Sequence, residues 1–272
     1  MYDTRYLTLE IAQLPVLLDL TACPEPARSA IAVRYAAFLV PTHEAIFTLY
    51  LRVEPGNPFL PLGRAPAMQT RIAPDGRITF ESHAEAGWFD WGARQGELVL
   101  RPQGDPENFL RVVYAWLSLE AQGLLLHACG IVRRQRGYVF FGPSGSGKTT
   151  VAQLSRVHTI LSDDLVIIKR QGIGYRVYGV PFRGELAGAP RVNVSAEACG
   201  VFALAHAPEH RLAPLTVSQV LARLLACAPF VLVCPANTRR VVDWCRELAA
   251  QLPVQLLCFR RDPKFWELLD VA

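Results

Sequence analysis

Hydrophobic and polar positions in the first part of the chain form short runs that predict β-strands. The runs are rich in β-branched, aromatic and other apolar residues, and they span residues 30–39, 45–53, 68–72, 77–82 and 97–101. Turn-forming residues separate them, as in Glu54-Pro55-Gly56-Asn57-Pro58 and Pro74-Asp75-Gly76. Strands are therefore expected to predominate in this region.

A helix is predicted to follow these strands. Asp105-Pro106-Glu107 supplies a capping residue, a proline at the first helical position and an acid in the first turn. Apolar residues then recur at helical spacing as far as Glu120. Because the pattern changes beyond this helix, we expect a smaller, strand-rich α+β domain over residues 1–118.

Strands and helices alternate in the second part of the chain. Strands are predicted over residues 124–132, 137–141, 158–161, 165–170, 175–180, 201–206 and 254–259. Helices are predicted from the end of a glycine-rich segment to about residue 157, and over 217–226 and 238–251. This order is typical of an α/β nucleotide-binding domain, which we expect over residues 119–272.

Composition predicts a folded protein and excludes several classes. Of the 272 residues, 51% are hydrophobic and 19% are charged, which argues against intrinsic disorder. No apolar run reaches eighteen residues, and the first residues lack a basic start followed by an apolar stretch. We therefore expect a cytoplasmic protein without a membrane partner.

The seven cysteines are scattered and contain no Cys-x-x-Cys pair, so neither a zinc site nor a disulfide framework is predicted. Cys199, Cys227, Cys234 and Cys258 lie among apolar residues and are predicted to be buried thiols.

Charge is distributed unevenly along the chain. Residues 1–118 carry 10 basic and 13 acidic residues, whereas residues 119–272 carry 18 and 11. A basic second half suits a polyphosphate ligand or an acidic partner. The excess is too small, and no recognisable module is present, for nucleic acid to be an expected partner.

The segment Gly142-Pro143-Ser144-Gly145-Ser146-Gly147-Lys148-Thr149 matches G-x-x-x-x-G-K-[ST] between a predicted strand and a predicted helix. Its glycines let successive backbone N–H groups curl around anionic oxygens. Lys148 would reach the β- and γ-phosphates, and the Thr149 hydroxyl would bind Mg²⁺. The sequence thus predicts a nucleotide site, extended by Thr150, for ATP with Mg²⁺.

Two adjacent acids, Asp163 and Asp164, follow the next predicted strand. In such a site one carboxylate can serve the metal ion while the other accepts a proton from an attacking hydroxyl. The alternative is a loop pair at a strand end without a chemical role.

Over residues 124–168 the chain resembles the bacterial HPr kinase/phosphorylase family. The resemblance is carried by Leu125-Leu126-His127-Ala128-Cys129-Gly130-Ile131-Val132, by the glycine-rich loop, and by Thr159-Ile160-Leu161-Ser162-Asp163-Asp164-Leu165-Val166. It implies a P-loop fold similar to that of ATP-dependent phosphoenolpyruvate carboxykinases, and transfer of phosphate to a serine hydroxyl. Members of that family are hexamers, so the resemblance leaves a homo-oligomer open.

The resemblance also implies residue roles. Asp163 resembles the catalytic base, Asp164 its companion near metal or substrate, and His127 a histidine beside the phosphates, all acting with Lys148. For His127 a core position on a strand is the alternative.

Further along the chain the resemblance becomes looser. Arg183 and Glu185 stand where the family has an arginine and a metal-binding glutamate, so Glu185 would join Thr149 and Asp164 around Mg²⁺. Solvated loop charges are the alternative. The segment 209–216 is similar to divergent HPr-kinase-like proteins of peptide-modification gene clusters, including lasso-peptide kinases, and implies a phosphate or substrate contact for Arg211.

Three functions fit these patterns. The leading hypothesis is a kinase that transfers the γ-phosphoryl group of ATP to a Ser or Thr hydroxyl of a small protein or peptide. The others are a small-molecule kinase, with the first domain as a lid, and a non-catalytic module in which ATP gates peptide binding. Trp88, Phe89 and Trp91 either form a partner-binding patch or belong to the core of the first domain.

Overall fold

The computed structural model describes residues 4–41, 45–62, 67–182, 184–186, 188 and 191–271, with only the backbone of Val271. The chain divides into two compact units, Met1–Leu117 and Ser118–Ala272. In the described part of the chain no helix has the length and apolar character needed to cross a membrane.

The first unit contains a mixed sheet of eight strands. The strands are β1 (Tyr6–Ile11), β2 (Leu14–Ala22), β3 (Leu39–Val40), β4 (Phe47–Val53), β5 (Met68–Ile72), β6 (Ile78–Ser82), β7 (Glu85–Asp90) and β8 (Gln95–Leu100). They lie in the order β3-β1-β2-β4-β8-β7-β6-β5. Two helices accompany them, α1 (Glu25–Tyr35) and α2 (Glu107–Glu120), the latter ending in the second unit.

The strand predicted over residues 30–39 is wrong. Residues 25–35 form α1, a 3₁₀ turn occupies Ala36–Phe38, and only Leu39–Val40 is extended. Pro26 and the acid Glu25 start the helix, and the two residues it buries, Ile31 and Tyr35, are four positions apart and so share one face. The β-branched and aromatic residues of this segment favoured a strand, so the helical spacing was overlooked.

Other strands of the first unit were not predicted. The hairpin of β1 and β2 turns at Ala12 and Gln13, whose φ angles are 54° and 63°. Asn and Gly usually occupy such turns, so their absence hid the hairpin. β7 was also missed.

The core of the first unit contains Phe89, which is fully buried and packs edge-on against Phe109 at 6.0 Å between ring centroids. Trp91 is partly buried and stacks on Phe47. For Phe89 the core interpretation is confirmed. Trp88 is partly buried, with the Arg77 guanidinium 4.2 Å from its ring centroid.

The second unit contains the other eight-stranded sheet. Its strands are β9 (Gly123–Arg133), β10 (Arg136–Phe141), β11 (Thr159–Ser162), β12 (Leu165–Gln171), β13 (Gly174–Tyr178), β14 (Ser195–His206), β15 (Arg211–Pro214) and β16 (Val254–Phe259). Its helices are α3 (Lys148–Leu154), α4 (Val217–Ala226), α5 (Pro235–Gln251) and α6 (Phe265–Val271).

Strands and helices alternate in only part of this unit, because several strands follow one another as hairpins. Within the described residues β10–β14 and β14–β16 pair in parallel and the other pairings are antiparallel. β9, β12, β13, β14 and β10 pair successively, and β10 pairs again with β9, so these strands close into a ring. The fold is mixed α/β, and most of the strand pairings in this unit are antiparallel.

The parallel strands β10, β14 and β16 determine where the candidate site lies. Their carboxyl ends meet at one edge, since Phe141 pairs with Ala203 and His206 pairs with Phe259. The glycine-rich loop begins at this edge, directly after Phe141.

Burial of the four cysteines predicted to be core thiols is confirmed for Cys227 and Cys258. Cys199 and Cys234 are only partly buried, so their prediction is wrong. Cys199 lies at a position of β14 where the burial pattern alternates, and Cys234 precedes α5 at its N-terminus.

Candidate active site

The glycine-rich loop connects β10 to α3 and lines a cavity of about 450 Å³. β10 pairs with β9 on one side and with β14 on the other, so the sheet fixes the start of the loop. The loop turns at Gly145 and Gly147, where φ is 77° and 104°. Side chains other than glycine rarely adopt this left-handed conformation, which explains why the motif needs glycine there.

The Lys148 ammonium lies over the start of the loop. Its Nζ donates hydrogen bonds to the carbonyl oxygens of Gly142, at 2.9 Å, and of Pro143, at 3.2 Å. Lys148, Thr149 and Thr150 all line the cavity. Ser146 is buried and turns its hydroxyl towards Gly142, where a Cβ would come within 2.7 Å of Ser146 Oγ. The first glycine of the motif is therefore required by packing.

Asp163 lies at the wall of the same cavity and is only 4% exposed. Its Oδ2 accepts a hydrogen bond from the backbone N–H of Leu186 at 2.8 Å. Gly184 packs directly against the carboxylate, because a Cβ at this position would lie 2.0 Å from Asp163 Oδ1. The loop around residues 184–186 thus fixes the orientation of the Asp163 carboxylate.

Asp164 lies beside His127 at the cavity wall. Its Oδ1 is 3.6 Å from His127 Nδ1, and both side chains are partly exposed. Backbone bonds fix the pair, since Ala128 N–H donates to the Asp164 carbonyl at 2.9 Å and His127 N–H donates to the Cys227 carbonyl at 2.8 Å. At 3.6 Å the two groups are too far apart for a direct hydrogen bond and too close for a water molecule to lie between them.

Three further predicted site residues differ in their placement. Glu185 lines the cavity. Arg211 is exposed at the start of β15, pairs with Cys258 of β16, and does not belong to the described cavity lining. The prediction for Arg183 falls outside the described residues.

The cavity therefore brings together residues that are far apart in the chain. It joins the glycine-rich loop to a histidine from β9, the two aspartates after β11 and a glutamate of the 184–186 loop. The described lining residues are His127, Gly142, Pro143, Ser144, Gly145, Gly147, Lys148, Thr149, Thr150, Asp163, Asp164, Glu185, His206, Ala226 and Cys227.

His206 and Cys227 line the cavity but were not predicted as site residues. His206 ends β14, and Nε2 of its ring donates to the Gly145 carbonyl oxygen at 3.0 Å. The predicted strand over 201–206 ends at this histidine, which was the available signal. Sequence alone does not tell that this strand lies parallel beside β10.

Two cysteine thiols, one lining the cavity and one behind it, have raised pKa values. Burial raises the pKa of the Cys227 thiol, against the opposing effects of Lys148 and the Gly142 N–H. Burial also raises the pKa of Cys129 behind the cavity, with a further contribution from Asp163. Both thiols therefore stay protonated at neutral pH.

Metal binding by this cavity would need ligand oxygens in addition to the protein. Among the described residues no group of three or more His, Cys, Asp or Glu side chains is arranged to hold an ion. Thr149, Asp164 and Glu185 nevertheless line one cavity together with the glycine-rich loop. This set suits Mg²⁺, which is commonly bound by one or two carboxylates completed by phosphate oxygens and water.

A family model described as SynChlorMet cassette protein ScmC matches residues 107–271, which is more than half of the chain. The chain belongs to the ScmC family. The part matched by the ScmC model contains all of the described cavity-lining residues.

No curated protein matches the chain. Among solved structures, the HPr(Ser) kinase/phosphatase from Coxiella burnetii is 14% identical, with 54% of this chain and 93% of that chain covered and a TM-score of 0.30. Because this score is low, the assignment of the ScmC-family domain to the HPr kinase fold stays a prediction.

Proposed function

We propose that the protein is a Mg²⁺-dependent kinase that transfers the γ-phosphoryl group of ATP to a Ser or Thr hydroxyl of a small protein or peptide. One observation carries this proposal. A single cavity joins a glycine-rich phosphate loop to the carboxylates of Asp163, Asp164 and Glu185 and to the imidazole of His127. Phosphate binding alone needs only the loop, whereas phosphoryl transfer also needs a proton acceptor beside it.

Lys148 binds and orients the triphosphate in this proposal. Its ammonium already lies at the mouth of the loop, held by the carbonyls of Gly142 and Pro143. Phosphate oxygens carry full charge, so the ammonium binds them more strongly than it binds neutral carbonyls. The same charge then stabilises the negative charge that develops during transfer.

Thr149, Asp164 and Glu185 would hold Mg²⁺ together with the triphosphate. The ion supplies charge neutralisation across the β- and γ-phosphates. His127 lies 3.6 Å from Asp164, so a small movement of either side chain on ATP binding would bring the two into a hydrogen bond.

Asp163 accepts the proton of the acceptor hydroxyl. The hydroxyl oxygen forms a bond to the γ-phosphorus, the bond from that phosphorus to the β–γ bridging oxygen breaks, and the hydroxyl proton moves to the Asp163 carboxylate. ADP leaves with the bonding electron pair. The Leu186 N–H and Gly184 keep the carboxylate in one orientation, which reduces the reorganisation needed for transfer.

The peptide nature of the acceptor rests on the resemblance of residues 124–168 and 209–216 to protein and peptide kinases. The family description calls its members cassette proteins. Products encoded in the same cassette as this protein are therefore the first acceptors to test.

The test is an incubation with γ-labelled ATP and Mg²⁺, with a panel of cassette-encoded peptides and proteins and a panel of small alcohols. Lys148→Ala is compared with Lys264→Ala, an exposed lysine that does not line the cavity. We expect label on a Ser or Thr of one peptide, lost by about 10²-fold or more in Lys148→Ala and on chelation of Mg²⁺, and retained in Lys264→Ala. Label only on a small alcohol would contradict the peptide acceptor, and binding of ATP without transfer to any acceptor would contradict the kinase.

A further inference from the structure

His206 is held against the apex of the glycine-rich loop by two contacts. Nε2 of its ring donates a hydrogen bond to the Gly145 carbonyl oxygen at 3.0 Å. The ring also stacks on Phe259, with 5.6 Å between centroids and 29° between planes. The first contact fixes the ring to the loop, and the second fixes it to the sheet.

The parallel strands β14 and β16 place these two rings beside the loop. His206 ends β14 and Phe259 ends β16, and the two are register partners in parallel strands. A Cβ on Gly147 would come within 2.7 Å of Phe259 Cζ and 3.2 Å of His206 Cε1. The loop backbone therefore lies directly on the two rings, and glycine at position 147 is needed for this approach as well as for its φ of 104°.

The hydrogen bond from His206 helps to fix the orientation of the peptide plane between Gly145 and Ser146. In a trans peptide the carbonyl of Gly145 and the N–H of Ser146 point in opposite directions. The Ser146 N–H donates to the Pro143 carbonyl at 3.1 Å while the Gly145 carbonyl accepts from His206. The plane is thus held at both ends, and its rotation would change which backbone groups of the loop face the cavity.

We infer that His206 is a positioning residue for the phosphate loop: it fixes the Gly145–Ser146 peptide so that the loop presents its N–H groups to a bound triphosphate. The inference rests on the proposed nucleotide binding. It concerns affinity for the triphosphate, and no proton is transferred to or from His206 in this role.

The experiment measures the dissociation constant of Mg²⁺–ATP for the whole chain carrying His206→Phe or His206→Gln. Phenylalanine keeps a ring on Phe259 but has no donor, whereas the glutamine amide offers a donor near the position of Nε2. We expect His206→Phe to weaken binding by about 3- to 10-fold, the worth of one hydrogen bond. We expect His206→Gln to restore most of this affinity, with the melting temperature of both variants close to that of the wild type.

His158→Phe is the matched control, because that ring also packs on an aromatic side chain, Trp266 at 5.4 Å, but does not line the cavity. It should bind Mg²⁺–ATP as the wild type does. Unchanged affinity in His206→Phe, or equal losses in His206→Phe and His206→Gln, would overturn the positioning role while the kinase proposal stands. Absence of ATP binding by the wild type would instead overturn the proposed function and this inference with it.

Discussion

The Asp163 carboxylate is oriented by backbone groups of the 184–186 segment. The Leu186 N–H donates to Oδ2, and Gly184 lies so close to Oδ1 that no side chain fits between them. A buried carboxylate with one oxygen held in this way has a defined direction for its remaining lone pairs. The proposed chemistry therefore depends on a backbone N–H and on a glycine, neither of which reacts itself.

Gly184→Ala tests this dependence. The added methyl group would lie 2.0 Å from Asp163 Oδ1, so the carboxylate or the loop must move. Overpacking of this kind costs about 1–3 kcal/mol. We expect phosphoryl transfer by Gly184→Ala to fall by at least 10-fold, as measured by initial rates at saturating ATP.

Gly174→Ala is the control for that substitution, because a Cβ at Gly174 meets no atom within 4 Å. It should leave both the rate and the melting temperature at wild-type values. A fully active Gly184→Ala variant would contradict the role of the 184–186 segment in orienting Asp163.

Helix α4 belongs to the site through its carboxyl end. Ala226 and Cys227, which lie at that end, line the cavity, and the Cys227 carbonyl accepts from the His127 N–H. At the other end a capping box is formed, in which Thr216 accepts from the Gln219 N–H and the Gln219 side chain accepts from the Thr216 N–H. At the scale of the element, capping thus stabilises a helix whose far end contacts the site.

Thr216→Ala should lower the free energy of unfolding by about 1 kcal/mol, since it removes one half of the capping box. Chemical denaturation measures this change. The dissociation constant of Mg²⁺–ATP should stay unchanged, because Thr216 lies one helix length from the cavity. Ser218→Ala, which removes a hydroxyl of the same turn but not the cap, should cost less, and equal costs for the two variants would contradict the capping role.

Element prediction succeeded where the local pattern determined the structure. The strand over 68–72 and the helix over 217–226 have the predicted bounds, and the phosphate loop lies between a strand and a helix, as expected. Prediction failed at α1, where β-branched composition outweighed the four-residue spacing of Ile31 and Tyr35, and it missed β15 and α6. Helices shorter than two turns, such as α6, gain most of their stability from packing and leave a weak periodic signal.

The candidate site was also only partly predictable from the sequence, because some of its residues lie far apart in the chain. Lys148, Asp163 and Asp164 lie within one short stretch of chain, and their motif predicts that they act together. His206 reaches the loop only because β14 lies parallel beside β10. Strand order is a property of long-range pairing, and neither periodicity nor composition contains it.

The two halves of the whole molecule differ in net charge. Residues 119–272 hold 18 basic and 11 acidic residues, and they contain every described residue of the cavity. A positive half raises the local concentration of an anionic ligand, and salt screens this effect over a distance of about 8 Å at physiological ionic strength.

Affinity for Mg²⁺–ATP should therefore decrease as the NaCl concentration rises from about 50 to 300 mM at constant free Mg²⁺. The reason is that the Debye length then falls below about 8 Å, so salt screens the attraction between the basic residues and the phosphates. Isothermal titration at several salt concentrations measures the dependence. Adenosine, which has no phosphate, provides the control and should show little change. An affinity for Mg²⁺–ATP that does not vary with salt would contradict a contribution from the basic half.

In the proposed reaction Asp163 takes the proton of an attacking hydroxyl, and Asp163→Asn removes this proton acceptor. The measurement is the rate of label transfer at saturating ATP, together with the dissociation constant of Mg²⁺–ATP, beside Asp243→Asn, an exposed aspartate of α5, as control. We expect a rate lower by about 10²- to 10⁴-fold in Asp163→Asn, with ATP affinity retained, and a control that behaves as the wild type. An Asp163→Asn variant that transfers phosphate at the wild-type rate would contradict the role of Asp163 as the proton acceptor.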